Sequence, residues 1–364
     1  MRETITFDDV LLEPQYSTIK SRKEVNLSSI LGSKICSEVE TNATNTATNT
    51  RLVERAIKYN IPIISSPMTT VTEEWMAMTM FNAGGLGIIH RYNTIENQAR
   101  MVKSTAGHQI QKTGEAPIVA ASIGATGDYL ERAQELIKNG AGILCLDVAH
   151  GHHENVRVAL TRLRETFTNV HLMAGNVATL MAFKDLENWG ADSVRCGVGG
   201  GSICSTRLRT GHGVPTLQSV FDCASVARSA KVIADGGLKT SGDIVKALAA
   251  GADFVMLGSM LAGTNDTPGE IYEENGQQVK SYVGMASSEA QMAWRGHVSV
   301  SEGIAATVPY KGKTEDIIKK IVGGIRSGLS YTGARHLDEL RAKARFIKQS
   351  PCSQRESDTH ILYR

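Results

Sequence analysis

The sequence predicts an α/β protein, a (β/α)8 TIM barrel forming one domain over residues 1–364, on three observations. Eight short apolar runs recur along the chain, each followed by a longer stretch with helical spacing. The runs are continuous rather than alternating, which suits strands buried on both faces of a parallel sheet. Glycine, serine, asparagine, aspartate and histidine gather just beyond each run, where such barrels carry their active sites.

The runs are 61–65 (IPIIS), 85–89 (GLGII), 117–121 (PIVAA), 142–147 (GILCLD), 170–174 (VHLMA), 192–196 (DSVRC), 231–235 (KVIAD) and 253–257 (DFVML). Helical candidates between them include 126–139, 154–167, 179–189 and 240–250. Small-residue turns such as NGAG (139–142), WGAD (189–192) and AGAD (250–253) precede several runs, and glycine there caps the preceding helix. A doubly wound open sheet is the alternative, but it rarely needs eight such units.

Composition narrows the class. A chain of 364 residues, 41% hydrophobic and 21% charged, can bury a sizeable core. A net charge of +2 gives no reason to expect nucleic acid as a partner. No apolar stretch reaches the ~18 residues of a membrane helix, and the first residues carry no apolar leader. Six cysteines at 36, 145, 196, 204, 223 and 352 are scattered without a CxxC pair. That pattern suggests neither a disulfide framework nor zinc, and predicts a cytoplasmic protein with reduced thiols. The stretch 36–50 (CSEVETNATNTATNT) reads as a disordered or variable loop.

The loops past the runs carry the chemistry. DGGLKTSGD (235–243) opens a helix and GSML (258–261) follows the eighth run. Glycines there let backbone amides approach an anion, and a helix N-terminus adds positive charge, so the two predict a phosphate grip. Plain turn glycines are the bland alternative. GVGGGSICST (197–206) places Cys204 on the same rim among four glycines, where a thiolate can attack an electrophilic carbon. Cys145 and Cys196 fall inside strand runs and read as inert core residues. Arg207 and Arg209 are either surface charges or a means of lowering the thiol pKa. His150, His152 and His153 have no acidic or cysteine partner at metal spacing, so they read as solvated loop residues. The residues alone thus predict an enzyme that binds a phosphorylated small molecule and uses a cysteine nucleophile, with the substrate unnamed.

GVGGGSICSTR (197–207) resembles the catalytic-cysteine loop shared by IMP dehydrogenases and GMP reductases, and other motifs resemble that family in the same order. They are TFDDVLLEP (6–14), SPMTTVTE (66–73), GGLGIIHRYNTIENQ (84–98), LDVAHGH (146–152), MAGNVAT (173–179), IADGGLKTSGDIVKALAAGADFVMLGSMLAG (233–263) and SYVGMASSEA (281–290). The resemblance implies that Cys204 attacks C2 of a purine nucleoside monophosphate to form a thioimidate. It implies that Ser202, Gly237, Gly258, Ser259 and Tyr282 hold the 5′-phosphate and Asp235 the ribose, with Gly236 among the substrate-binding residues. Ser66, Met68, Gly284, Met285 and Ala286 would then meet the rest of the nucleotide. Asp147, Ala149, His150 and Asn176 would lie on the nicotinamide side, and the carbonyls of Gly197, Gly199 and Cys204 would form a monovalent-cation site, for K+. A homotetramer or larger homo-oligomer is implied too.

Within the family, the resemblance is to the reductase branch. Dehydrogenases normally insert regulatory modules after the second strand, and 90–122 has no room for them. Their long flap carries an Arg-Tyr pair that activates water; the flap here (281–312) is short and has none. Thr206 and Glu302 match the reductase pair that handles the proton traffic of departing ammonia. The implied reaction is NADPH-dependent conversion of GMP to IMP and ammonia, with NADH or NAD as other possible cofactors. The alternatives are an IMP dehydrogenase lacking the regulatory modules, and a nucleotide-binding homologue without catalysis. Gly200 stands where the family usually has proline and Thr69 where aspartate is common. SPM (66–68) and the tail QRESDTH (354–360), within a C-terminal segment 335–364, lean to the dehydrogenase side.

Overall fold

The computed structural model describes residues 1–41 and 48–357, with 33–41 and 48–55 described by backbone alone. A short strand β1 (Val10–Leu12) and an antiparallel hairpin of β2 (Ser29–Thr41) and β3 (Thr48–Tyr59) come first. Eight strands follow: β4 (Ile63–Ser65), β5 (Leu86–Ile89), β6 (Val119–Ile123), β7 (Ala141–Asp147), β8 (His171–Val177), β9 (Ser193–Cys196), β10 (Lys231–Asp235) and β11 (Phe254–Leu257). They pair in that order, all parallel, and β11 pairs back onto β4 to close the barrel. Every apolar run of the sequence is thus a strand, with no start displaced by more than two residues.

Helices α1 (Glu74–Asn82), α2 (Ile95–Thr113), α3 (Tyr129–Lys138), α4 (Glu154–Thr166), α5 (Leu180–Asn188), α6 (Thr206–Thr210), α7 (Thr216–Ala224) and α8 (Ser241–Ala249) connect the strands. Thr94, Thr179 and Thr240 cap α2, α5 and α8 by accepting a bond from an amide of the first turn, which fixes where these helices begin. After the barrel, β12 (Tyr272–Glu274), β13 (Gln277–Val283) and β14 (Ala305–Pro309) form a small antiparallel sheet, with α9 (Ser288–Arg295) between β13 and β14. The expected flap is the β13–α9–β14 segment. Helices α10 (Thr314–Thr332) and α11 (Leu337–Lys343) and a strand β15 (Phe346–Lys348), paired with β1, complete the core of the described chain. Residues 358–364, the end of the tail, lie outside the described residues.

Two apolar clusters build the core. One fills the barrel interior with Ile64, Ile88, Ile143, Met173, Ile233 and Phe254 among others; the larger one packs the helices onto the outside of the sheet. The hairpin corrects one expectation. Residues 36–41 and 48–50 are strand rather than loop, and 42–47 lie outside the described residues. Thr48 and Thr50 alternate along β3, and β-branched residues favour extended backbone, a signal masked by the polar composition. Leu31 and Ile57 of this hairpin join the interior cluster. Gly32 sits against His171 at the start of β8, where a Cβ would meet Nδ1 at 2.8 Å. The hairpin therefore plugs the N-terminal mouth and leaves the opposite rim open. No helix among the described residues is long and apolar enough to cross a membrane.

Candidate active site

At the C-terminal ends of the strands a cavity of about 450 Å³ is lined by Ser66, Met68, Asp147, Ala149, Asn176, Gly197, Gly199, Cys204, Thr206, Asp235, Gly236, Gly284, Met285, Ala286 and Glu302. A smaller one of about 80 Å³ shares Ser66, Met68, Asp235 and Gly236 and adds Ser202, Gly237, Gly258, Ser259 and Tyr282. Of the residues expected at the site, only His150 lies elsewhere, in a neighbouring cavity of about 500 Å³.

The loop after β9 presents Cys204, whose thiol is exposed. Its Sγ donates to Thr206 Oγ1 at 3.2 Å, and Thr206 Oγ1 donates to Glu302 Oε2 at 2.8 Å. Backbone bonds lock this arrangement. The Ser205 amide donates to the Glu302 carbonyl at 2.8 Å and the Ile304 amide to the Ile203 carbonyl at 3.0 Å, so the cysteine loop and the flap form one surface. The three groups make a continuous proton path from thiol to carboxylate. Arg207 turns away from the thiol. Its guanidinium donates to the Val214 and Val198 carbonyls, and its stem packs so closely on Gly199 and Gly213 that a Cβ on either would lie 2.6 Å from it. It braces the loop.

Beneath the thiol lies a charge network. Arg195 on β9 donates to Asp147 Oδ1 at 2.5 Å and, through Nε and Nη2, to Asp235 Oδ2 at 3.1 and 2.9 Å. Burial would pull the guanidinium pKa down, but Asp235 and Asp147 outweigh it and hold the group charged. Asn176 Nδ2 adds a bond to the same Asp235 oxygen at 2.8 Å and to the Gly197 carbonyl at 2.9 Å. The pairing of β8 with β9 shifts between Gly175 and Val177, a bulge that re-aims Asn176 into the mouth. Each carboxylate keeps one oxygen free of these bonds. The Gly197 carbonyl, one of three expected at a cation, is already an acceptor for Asn176. No cluster of three or more His, Cys, Asp or Glu side chains suited to a metal occurs among the described residues.

The small cavity has the features of an anion seat. Gly236 and Gly237 adopt φ of 88° and 75°, left-handed values that favour glycine. The amides of Gly237 and Ser259 donate to no protein acceptor among the described residues, and the Ser66 hydroxyl is buried without a partner. A Cβ on Gly258 would approach Tyr282 Oη at 2.9 Å and Ser66 Oγ at 3.2 Å. Burial pushes the Tyr282 phenol up, so it stays a donor. At the start of α8, Asp243 accepts from the Lys239 and Thr240 amides and Thr240 Oγ1 from the Asp243 amide, while the preceding Gly236 and Gly237 line the small cavity.

The neighbouring cavity is charged and carries one indole ring. Arg91, Arg132, Arg295, Asp128, His153 and Trp294 line it with His150, Arg132 being paired with Asp128 at 2.7 Å, and the His150 pKa is lowered by burial and then by the nearby histidines. Trp294 of α9 stacks on Tyr92 with centroids 5.4 Å apart and planes at 8°. Arg91 lies over Tyr92 at 5.0 Å and Arg132 over Trp294 at 5.7 Å, an arrangement that pins the flap helix to the rim. His152 bonds Asp185 at 2.8 Å and stacks on Trp189, a structural role.

Sequence reasoning missed Arg195, Arg91, Tyr92 and Gln291. Arg195 had a legible signal, a charge inside an otherwise apolar strand run. Arg91 and Tyr92 stand in the loop after β5, and nothing local marks their side chains as lining a cavity. Gln291 had none, since only the folded flap shows that its side chain is buried.

A parallel eight-stranded barrel whose C-terminal rim carries a thiol–hydroxyl–carboxylate chain beside a glycine-lined cavity defines a class of barrel enzyme with a reactive cysteine. The comparisons give the family: a model described as "IMP dehydrogenase / GMP reductase domain" matches residues 4–360, and the chain belongs to that family. It is 34% identical to inosine-5′-monophosphate dehydrogenase of Nitrosopumilus maritimus, covering 99% of this chain and 98% of that protein. It is 33% identical to GMP reductase of Leishmania major, covering 99% and 97%. Among solved structures, a cysteine-to-alanine variant of GMP reductase from Trypanosoma brucei in complex with guanosine 5′-monophosphate matches with a TM-score of 0.84 at 30% identity, over 99% of this chain and 98% of that one.

Proposed function

We propose that this protein reductively deaminates GMP to IMP with NADPH, and that Cys204, Thr206 and Glu302 carry the chemistry. The observation that supports this reading best is the unbroken Cys204–Thr206–Glu302 hydrogen-bond chain. As the Cys204 sulfur bonds to C2 of the base, its proton passes to Thr206 and the Thr206 proton to Glu302. The return path delivers a proton to the 2-amino group, the C2–N bond breaks, and ammonia leaves a thioimidate. A reduced nicotinamide, when bound, supplies the hydride that converts C2 to C–H as the C–S bond breaks and the thiolate is regenerated.

The remaining residues bind and orient. The amides of Gly237 and Ser259, with Ser66, Ser202 and Tyr282, take the 5′-phosphate, and the free oxygen of Asp235 takes ribose hydroxyls. Asp147, Ala149 and Asn176 face the cofactor side, and the charged cavity beyond Arg91 and Arg295 suits a phosphate-bearing cofactor. The homotetramer, the K+ at the Gly197, Gly199 and Cys204 carbonyls, and a cytoplasmic location complete the proposal.

A second reading, oxidation of IMP to XMP with NAD, has one observation in its favour: Arg295 on the flap helix lines the main cavity, where it can bind and activate water. Two assays separate the readings. GMP with NADPH should give ammonia and IMP with loss of reduced-cofactor absorbance, and Glu302→Gln should slow this by about 10²–10⁴ without weakening GMP binding. Sustained XMP release from IMP and NAD, with no ammonia from GMP, would overturn the reductase assignment.

A further inference from the structure

We infer that Gln291 is the positioning residue that sets the Glu302 carboxylate against Thr206, an inference that rests on the proton path proposed above. Between the end of α9 and the start of β14 the chain runs 296–304 with almost no regular structure and mostly exposed side chains, yet Glu302 must be held to within a hydrogen-bond length. Such a segment needs an internal tether.

Gln291 is 5% exposed, on the inner face of α9, and its carboxamide is fully used. Nε2 donates to the Ala286 carbonyl at 3.0 Å and the Val300 carbonyl at 3.2 Å. Oε1 accepts from the Ser299 amide at 2.9 Å and the Ser299 hydroxyl at 3.0 Å. The side chain thus joins the beginning of the flap to its end, two residues before Glu302. The Ala286 carbonyl that receives Gln291 also receives the Glu302 amide at 3.0 Å. One acceptor therefore carries both the tether and the residue it places. Only a neutral amide satisfies two carbonyls and two donors together; a carboxylate at this position would set negative charge against the Ala286 and Val300 carbonyls.

The test is a double-mutant cycle on the intact enzyme with GMP and NADPH, using Gln291→Ala and Gln291→Glu with and without Glu302→Gln, each variant first checked for an unchanged Tm. For both Gln291 variants we expect kcat to fall by about 10–100-fold, as misplacement of a reacting group by about 1 Å does, with KM for GMP within about threefold. With Glu302→Gln already present, either change should cost less than about threefold more, because residues acting as a unit are not additive. Fully multiplicative losses, a rise in KM alone, or wild-type kcat in both variants would overturn the inference. If Gln291→Ala fails to fold, Gln291→Glu gives the same readout. A Glu302→Gln enzyme with wild-type kcat would instead refute the proton path itself.

Discussion

Arg195→Met probes the centre of the site. The substitution keeps an unbranched stem and removes the guanidinium that binds both Asp147 and Asp235, which are only 15% and 14% exposed. The two carboxylates are left facing each other across the barrel mouth, with Asn176 the remaining side-chain donor to Asp235. Removing one partner of a buried ion pair costs ~3–5 kcal/mol. The cavity admits some water, so the lower end, about 3 kcal/mol, is expected. A 364-residue chain unfolds with roughly 0.8 kcal/mol per kelvin of entropy, and Tm should drop by about 4 °C. Thermal melts followed by circular dichroism measure this directly, and Asp147→Asn added to Arg195→Met should recover part of the loss by removing one of the opposed charges. An unchanged Tm in Arg195→Met, or no recovery in the double variant, would show that the three charges are not a unit.

Cys204→Ala should abolish turnover while GMP binding by calorimetry persists, and a residual rate above about a hundredth of wild type would rule out covalent catalysis at this residue. Gly258→Ala keeps an ordinary φ but places a methyl in the anion seat. It should weaken GMP at least tenfold, about 1.4 kcal/mol, while guanosine affinity stays level; an equal loss for both ligands would refute the seat. Burial lowers the His171 pKa to about 4, so the folded state keeps it neutral while the unfolded chain protonates below ~6.5. Its contribution is therefore intact above pH 6.5 and lost as pH falls toward 4, by up to about 3 kcal/mol. Stability curves of His171→Asn should be flatter across that window, and parallel curves would refute the assignment.

The chain encodes the barrel locally, because eight buried parallel strands demand continuous apolar runs and short helical returns, a pattern with a fixed period. It also sets which side chains stand on the open rim, since position past a strand end follows from that period; Cys204, Asp235 and Asn176 were legible this way. Whatever depends on distance across the fold is set by packing. Thr206 and Glu302 are 96 positions apart in sequence; the family resemblance pairs them, but their hydrogen bond exists only in the folded chain. Arg195 looked like one charge in a strand until β7 and β10 brought Asp147 and Asp235 to either side of it. The capping of α8, in which Asp243 takes the Lys239 and Thr240 amides, likewise exists only in the folded turn. Residues 36–41 and 48–50 read as loop because their composition is polar, and only pairing between β2 and β3 shows them as strand. Periodicity along a chain encodes which face is buried, whereas bonds between distant polar atoms exist only once packing has fixed where those faces meet.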